Sequence, residues 1–569
     1  MRHGASVTSV GQYGYTPLHR AAAVGSLPLV QFLLAHHASI TAEDSGGRTP
    51  LHWTARNGHV EVAKLLLDRS APVESKSRTP LWVAAEQGQV GTAKLLLDRG
   101  AKVNARGDYG KTPLDVAAEG GHAAVARLLV ARGASLNAED RDSQMPLHRA
   151  AEGGHVDVAR VLLDAGANLQ TPGQRNFTPL HAAAAEGRSD MVRFLLARGA
   201  DVNAAAQQSR ETPLLVAAGH WATSATERAR ATSYAQVVGL LLDHGADVNA
   251  RGQESETALH KAAANGHFAI AQVLVDRGAE VNARGRGNAT PLYEAATRGH
   301  LTIVRLLVAR GADLAARDGA GRTVLHAAVI GDPSLAVVRL LLDRGVDVHA
   351  RDNQGREAIQ LVGHDSHWRT GCRETIELLR ERGALPSLHQ AAALHDVAAL
   401  RQMIAAGADV NARDERGRTP LHRVLDHDAM GRRAADATEA VKVLLAAGAD
   451  PNAETRASTT RDRRVPLAMI GPGQLDCIIP LLEAGADATV RSHWSFEWPL
   501  HLAVEKGRLD VVKALVERGA DVNAADGGQT LLDKAIREDK QDVADYLRAH
   551  GAKERPKPTT APTAPAANP

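Results

Sequence analysis

Apolar positions recur along this chain in pairs of short helical stretches rather than in one long period. In residues 178–204, TPLHAAAAEGRSDMVRFLLARGADVNA, a threonine and a proline open the first stretch. Thr178 is a helix-capping type, and Pro179 fits the first helical position, where the missing N–H costs nothing. Ala182 to Ala185 propagate the helix with small side chains, and Gly187 allows the chain to reverse. Met191, Val192, Leu195 and Leu196 then fall on one face of a second helix, which Gly199 closes. The spacing predicts helix, turn, helix and an extended finger. Two helices this short enclose no core alone, so copies must stack and cover one another.

The position of Thr178 recurs at Thr16, Thr49, Thr79, Thr112, Met145, Thr212, Thr257, Thr290 and Thr323. It returns less clearly at Glu357 and Pro386, then at Thr419, Val465, Trp498 and Thr530, mostly 33 residues apart. The period, TPLH at 16–19, 49–52, 178–181 and 419–422, and GADVNA at 199–204 and 245–250 resemble the ankyrin repeat family over nearly the whole chain. The expected fold is an all-α repeat solenoid of ankyrin repeats, helix-turn-helix pairs with β-hairpin fingers.

Residues 1–11 read as an irregular lead-in. The first array runs over 12–384, with an insertion at 221–234 between the helices of the Thr212 unit. Gly383 is followed almost at once by Pro386, so a finger is missing there, and a second array is expected over 385–552. That array has additions at 426–438 and 454–465. The Pro, Ala and Thr tail at 553–569 has too little apolar content to bury a core and is expected to be disordered. Gly14, Gly47, Gly110, Gly321, Asn176 and Asn288 stand two residues before a cap and predict positive φ at the fingertips.

A chain of 569 residues exceeds a single globular core, but stacked layers escape that limit. The aromatic content of 3% fits layers of Leu, Val and Ala, and the formal charge of +2 gives no overall field toward nucleic acid or membrane. Cys372 and Cys477 are too few for a disulfide framework. With no apolar leader or spanning run, a cytoplasmic protein is expected. Ankyrin arrays also occur in proteins that bacteria deliver into host cells, so export by a route without a readable signal is the alternative.

Of the 26 histidines, those in the TPLH element and those after the inter-helix glycine repeat once per unit. The resemblance implies that the first set ties neighbouring repeats. One irregular loop gathers His364, His367 and Cys372, ligand types that zinc accepts, although the spacing fits no zinc pattern and only three good ligands are present. No phosphate loop, nucleophile elbow or HExxH helix is present, so neither an enzyme nor a cofactor is expected.

Binding remains. In ankyrin proteins partners lie against the fingertips and the concave face of the first helices, which implies a protein-protein interaction scaffold with protein partners, no small-molecule substrate and no membrane. Arg56, Glu86, Glu119 and Glu152 stand seven residues after the cap in successive units, and Glu186 one place further on, which predicts an acidic stripe. A solvated helix face gives the same pattern. Trp53 and Trp82 on first helices, and Tyr109 at a fingertip, are candidate anchors or core. In the second array Arg463 and Arg464 adjoin Trp494, Phe496 and Trp498, a basic-aromatic mixture that raises single-stranded nucleic acid as a rival ligand.

Overall fold

The computed structural model describes residues 6–75, 78–219, 231–330, 334–362, 371–414, 416–426, 434–455, 465–490, 499–526 and 529–553. It divides into two compact units, Met1–Ala328 and Val329–Pro569. In the first, helix pairs follow one another as the period requires, for example Pro50–Asn57 with Val60–Asp68, Pro113–Glu119 with Ala123–Ala131, and Pro179–Ala185 with Ser189–Ala197. First helix packs on first helix and second on second. The leucine two residues after each capping position, from Leu18 through Leu114 to Leu325, is buried in every layer. The alanines behind it, such as Ala117 and Ala118, have no exposed surface, which lets adjacent helices approach closely.

Each cap is built from both ends of its first helix turn. In the Thr178 unit the His181 Nδ1 accepts from the Thr178 backbone N–H at 3.1 Å and lies 2.9 Å from its hydroxyl. The threonine hydroxyl therefore serves the histidine ring. With Nδ1 accepting, Nε2 carries the proton, and it donates to the Glu211 carbonyl in the next unit at 3.0 Å. The same bond runs from His19 to Arg48 (2.9 Å), His52 to Arg78 (2.8 Å), His148 to Phe177 (3.1 Å) and His260 to Ala289 (3.1 Å). Trp82 occupies this position in its unit and donates Nε1 to the Lys111 carbonyl at 3.0 Å, replacing the histidine function.

A second ladder points backward. His59, His122 and His155, after the inter-helix glycines, reach the carbonyls of Ala23, Glu86 and Glu119 at 3.0, 3.0 and 2.9 Å. A β-carbon on Gly121, already at φ +73°, would sit 2.5 Å from the His155 ring, so only glycine fits there. The asparagine at the GADVNA position forms a third tie: Asn282, in the variant GAEVNA at 278–283, accepts from Asp313 N–H at 2.8 Å and donates to the Gly311 carbonyl at 3.2 Å.

The fingers are less sheet-like than expected. Among the described residues the only paired strands are Ala525–Asp526 and Gln529–Thr530, with one isolated bridge between Arg351 and Glu357. A typical finger closes on a single bond of this kind, Gly107 N–H to the Lys111 carbonyl at 2.9 Å, which is too short a ladder for a strand. Gly14, Gly47, Gly110, Gly321, Asn176 and Asn288 all have positive φ, as the sequence indicates. Fingertips come in two chemistries. In one, Asp44, Asp140, Asp318, Asp352 or Asp414 folds the turn by accepting backbone N–H groups. In the other, a glycine precedes a short 3-10 turn whose central residue, such as Tyr109 at φ 52°, is left-handed and points outward.

The 221–234 insertion is partly helical, since helix Ala231–Asp243 begins inside it and Tyr234 is buried, donating to the Ala185 carbonyl at 3.0 Å. The 426–438 addition likewise contains the start of helix Ala434–Ala446. In the Val329–Pro569 unit a continuous apolar core runs from Leu388 through Leu421, Leu444, Leu481 and Leu515 to Leu547. The cap expected at Pro386 is Ser387, whose hydroxyl accepts from Gln390 N–H at 3.2 Å. Across the missing finger, the Gln390 amide donates to the Val362 carbonyl at 2.9 Å, so the repeats on either side remain joined.

Candidate partner-binding face

The first helices of the Thr79 and Thr112 units bring together four of the residues singled out in the sequence. Trp82, Glu86, Tyr109 and Glu119 line one groove of about 280 Å³ with Arg78, Asp108, Lys111, Val116 and Gly120. Trp82 forms the floor and is 3% exposed, held by its bond to Lys111 and covered by the Arg78 guanidinium 4.8 Å from the ring centroid. Tyr109 forms the rim at 66% exposure. Its left-handed backbone, imposed by the Gly107 turn, lifts the ring clear of the finger.

Cations stand beside several of these carboxylates. Arg78 donates to Asp108 at 2.7 Å through Nε and stands 4.0 Å from Glu86. Lys111 Nζ is 2.6 Å from Glu119, and Arg149 is 3.2 Å from Glu152. Burial pushes the Glu152 carboxyl above the ordinary range, Arg149 opposes the shift, and the charges of Glu186 and Glu119 add to it. Glu152 therefore lies within electrostatic reach of the glutamates of the units on either side. The hydrogen bond to Asp108 in turn holds the Arg78 guanidinium firmly protonated.

The cations Arg48, Arg78 and Lys111 were not anticipated as site residues. Their signal was legible, since each stands immediately before a cap in three successive units. This position sits beside the first-helix glutamate because the finger folds back over its own helix, a contact that linear spacing does not display.

Trp53 and Arg56 lie in the adjoining layer, on helix Pro50–Asn57. The Trp53 ring is half-buried, meets Tyr15 edge-on at 5.3 Å and is flanked by Arg48 and Arg56 at 4.5 and 5.6 Å. Its Nε1 donates to Asp44 at 3.1 Å. Burial pushes the Asp44 carboxyl up, but the backbone N–H groups of Arg48 and Gly46 and the Arg48 charge outweigh it and hold the group low.

His364, His367, Arg463, Arg464, Trp494, Phe496 and Trp498 lie outside the described residues. Cys372 is described: it is fully buried at the start of helix Cys372–Glu381 and in no disulfide. Among the described residues no cluster of three metal-ligating side chains occurs, and no helix is long and apolar enough to cross a membrane.

Comparison with known proteins gives the same pattern. A family model described as ankyrin repeats (3 copies) matches residues 1–77, 69–140, 137–206, 283–352 and 466–557, more than half of the chain. Further ankyrin models match 241–292, 388–435 and 416–456. Cyclin-dependent kinase 4 inhibitor B of Bos taurus is 34% identical over 144 residues, 25% of this chain and 100% of that protein. E3 ubiquitin-protein ligase KEG of Arabidopsis thaliana is 35% identical over 129 residues, 22% of this chain and 6% of that protein. The solved human ASB11 ankyrin repeat domain aligns with 42% of this chain and 99% of its own, at 29% identity and a TM-score of 0.36. With the family's models matched over most of its length and the helix pairs in place, the chain belongs to the ankyrin repeat family.

Proposed function

We propose that this chain is a non-enzymatic interaction scaffold that binds a partner protein across the first helices of the Thr16 to Thr178 units. The observation that carries this reading is the groove itself: a Trp82 floor, an exposed Tyr109 rim and a row of glutamates on a regularly bonded stack. A scaffold with its side chains already positioned loses little entropy on binding, and aromatic anchors with charged neighbours suit protein contacts. The bovine relative is by name an inhibitor of a protein kinase, and its whole length is matched, which supports a protein partner.

Glu86 and Glu119 retain side-chain exposures of 36% and 51%, so they remain available to a basic segment despite their intramolecular pairs. Glu86→Lys combined with Glu119→Lys is expected to weaken binding of such a segment by about tenfold at low salt, with little change in melting temperature because both side chains are on the surface. Affinity for an isolated partner, measured by titration calorimetry, is the test. Unchanged affinity would remove the glutamate row from the proposal.

A further inference from the structure

At the start of the stack, Tyr15 and Trp53 support three arginines. The Arg20 guanidinium lies 5.4 Å from the Tyr15 centroid, and Arg48 and Arg56 lie 4.5 and 5.6 Å from that of Trp53. Arg48 is neutralised by Asp44 at 2.9 Å. Among the described residues, neither Arg20 nor Arg56 has an ion pair or a side-chain hydrogen bond. Elsewhere on the face Arg78, Lys111, Arg149 and Lys261 are each paired with a carboxylate. Both unpaired arginines are exposed, and ring contact restricts each guanidinium while leaving its edge donors free.

We infer that Arg20 and Arg56 form a clamp for the carboxylates of an acidic, extended segment of the partner. The inference rests on the partner-binding reading of this face and adds a second charge to it: acidic residues over the Thr16 and Thr49 units, beside basic residues over Glu86 and Glu119. Guanidinium groups pair with planar carboxylates through two parallel donors, and charge-assisted bonds of this kind are stronger than neutral ones. The geometry favours an acidic peptide over single-stranded nucleic acid. Bases need a free aromatic face to stack on, whereas Trp53 is flanked by two guanidiniums and the edge of Tyr15, and its N–H is committed to Asp44.

The test is fluorescence anisotropy on the full chain at about 50 mM salt, where screening is weak. The probes are three fluorescein-labelled decamers: alternating Glu-Gly, alternating Lys-Gly and deoxythymidine. The Glu-Gly peptide is expected to bind saturably and to lose about tenfold in affinity with Arg20→Gln plus Arg56→Gln. It should bind Glu86→Lys plus Glu119→Lys at least as well as the native chain. The single variant Arg56→Gln, with an unchanged melting curve, separates loss of the clamp from loss of fold. No saturable Glu-Gly binding, or equal affinity of the native chain and the double arginine variant, overturns the clamp. Tighter oligonucleotide binding that is lost with the same arginines also overturns it, in favour of nucleic acid. If an isolated partner still binds the double arginine variant undiminished but fails on the double glutamate variant, the scaffold reading survives and the clamp alone falls.

Discussion

Lowering the pH from 7 to 4.5 is expected to loosen the first compact unit before most of its carboxylates titrate. His148 and His260 are buried, and burial pushes each ring down to about 4 from an ordinary value of 6.5, although the bonds to Phe177 and Ala289 oppose the shift. Burial lowers His19, His52 and His181 in the same way. In the unfolded chain these rings take up protons near 6.5, while in the folded chain His148 and His260 resist until about 4. Stability is therefore complete above pH 6.5 and is lost as the pH falls through that window. For His148 and His260 the shift corresponds to about 3 kcal/mol each at pH 4. Protonation also destroys the cap, because Nδ1 can no longer accept from the threonine. Hydrogen exchange at pH 7 and 4.5, corrected for intrinsic rates, should show protection lost first around these layers. His260→Gln should remove part of the acid sensitivity while lowering stability at pH 7. Uniform protection down to pH 4.5 would show that the ladder does not govern the stack.

Asp115→Asn is expected to act in the opposite direction and stabilise the native protein at pH 7.5. Asp115 stands where other units place a histidine. Its Oδ2 accepts from the Thr112 N–H and hydroxyl, both at 2.7 Å, but its Oδ1 is buried without a hydrogen-bond partner. Burial raises the carboxyl to about 6, with Asp140 adding to the shift and the Thr112 bonds and Arg149 opposing it. The unfolded group ionises near 3.8 and the folded one near 6, so stability falls as the pH rises between those values and stays lower above them. The penalty at neutral pH is about 3 kcal/mol. Asparagine keeps the acceptor toward Thr112, adds a donor and carries no charge, so a gain of about 1 to 3 kcal/mol is expected. Melting curves of both proteins from pH 4 to 8 should converge at the acid end, separate as the pH rises to about 6 and stay apart above it. Parallel curves would show that Asp115 carries no titration penalty.

The fold was legible because it is written once per layer: the capping threonine, the proline, the inter-helix glycine and the second-helix leucines each have one structural use. The histidines were legible for the same reason, as two sets in two fixed places. The site was legible only in part. Glu86, Glu119, Glu152 and Glu186 were visible as a row and Arg78 and Lys111 as residues before a cap, but their proximity was not, because the fingers that carry the cations fold back over the helix. By residue type Trp82 could be anchor or core, and its place at the histidine position makes it a bonded floor. The unpaired state of Arg20 and Arg56 has no sequence signature, since it depends on which carboxylates fail to reach them.

The most direct test of the scaffold reading is site-specific photo-cross-linking on the full chain. A benzophenone amino acid replaces Tyr109 on the groove rim in one protein and the exposed Lys64 on a second helix in the other. Cross-linking to a common partner protein is expected at position 109 and not at 64, and competition by an excess of unlabelled native chain should abolish it. Equal yields at both positions, or a partner captured only at 64, would contradict binding across the first helices.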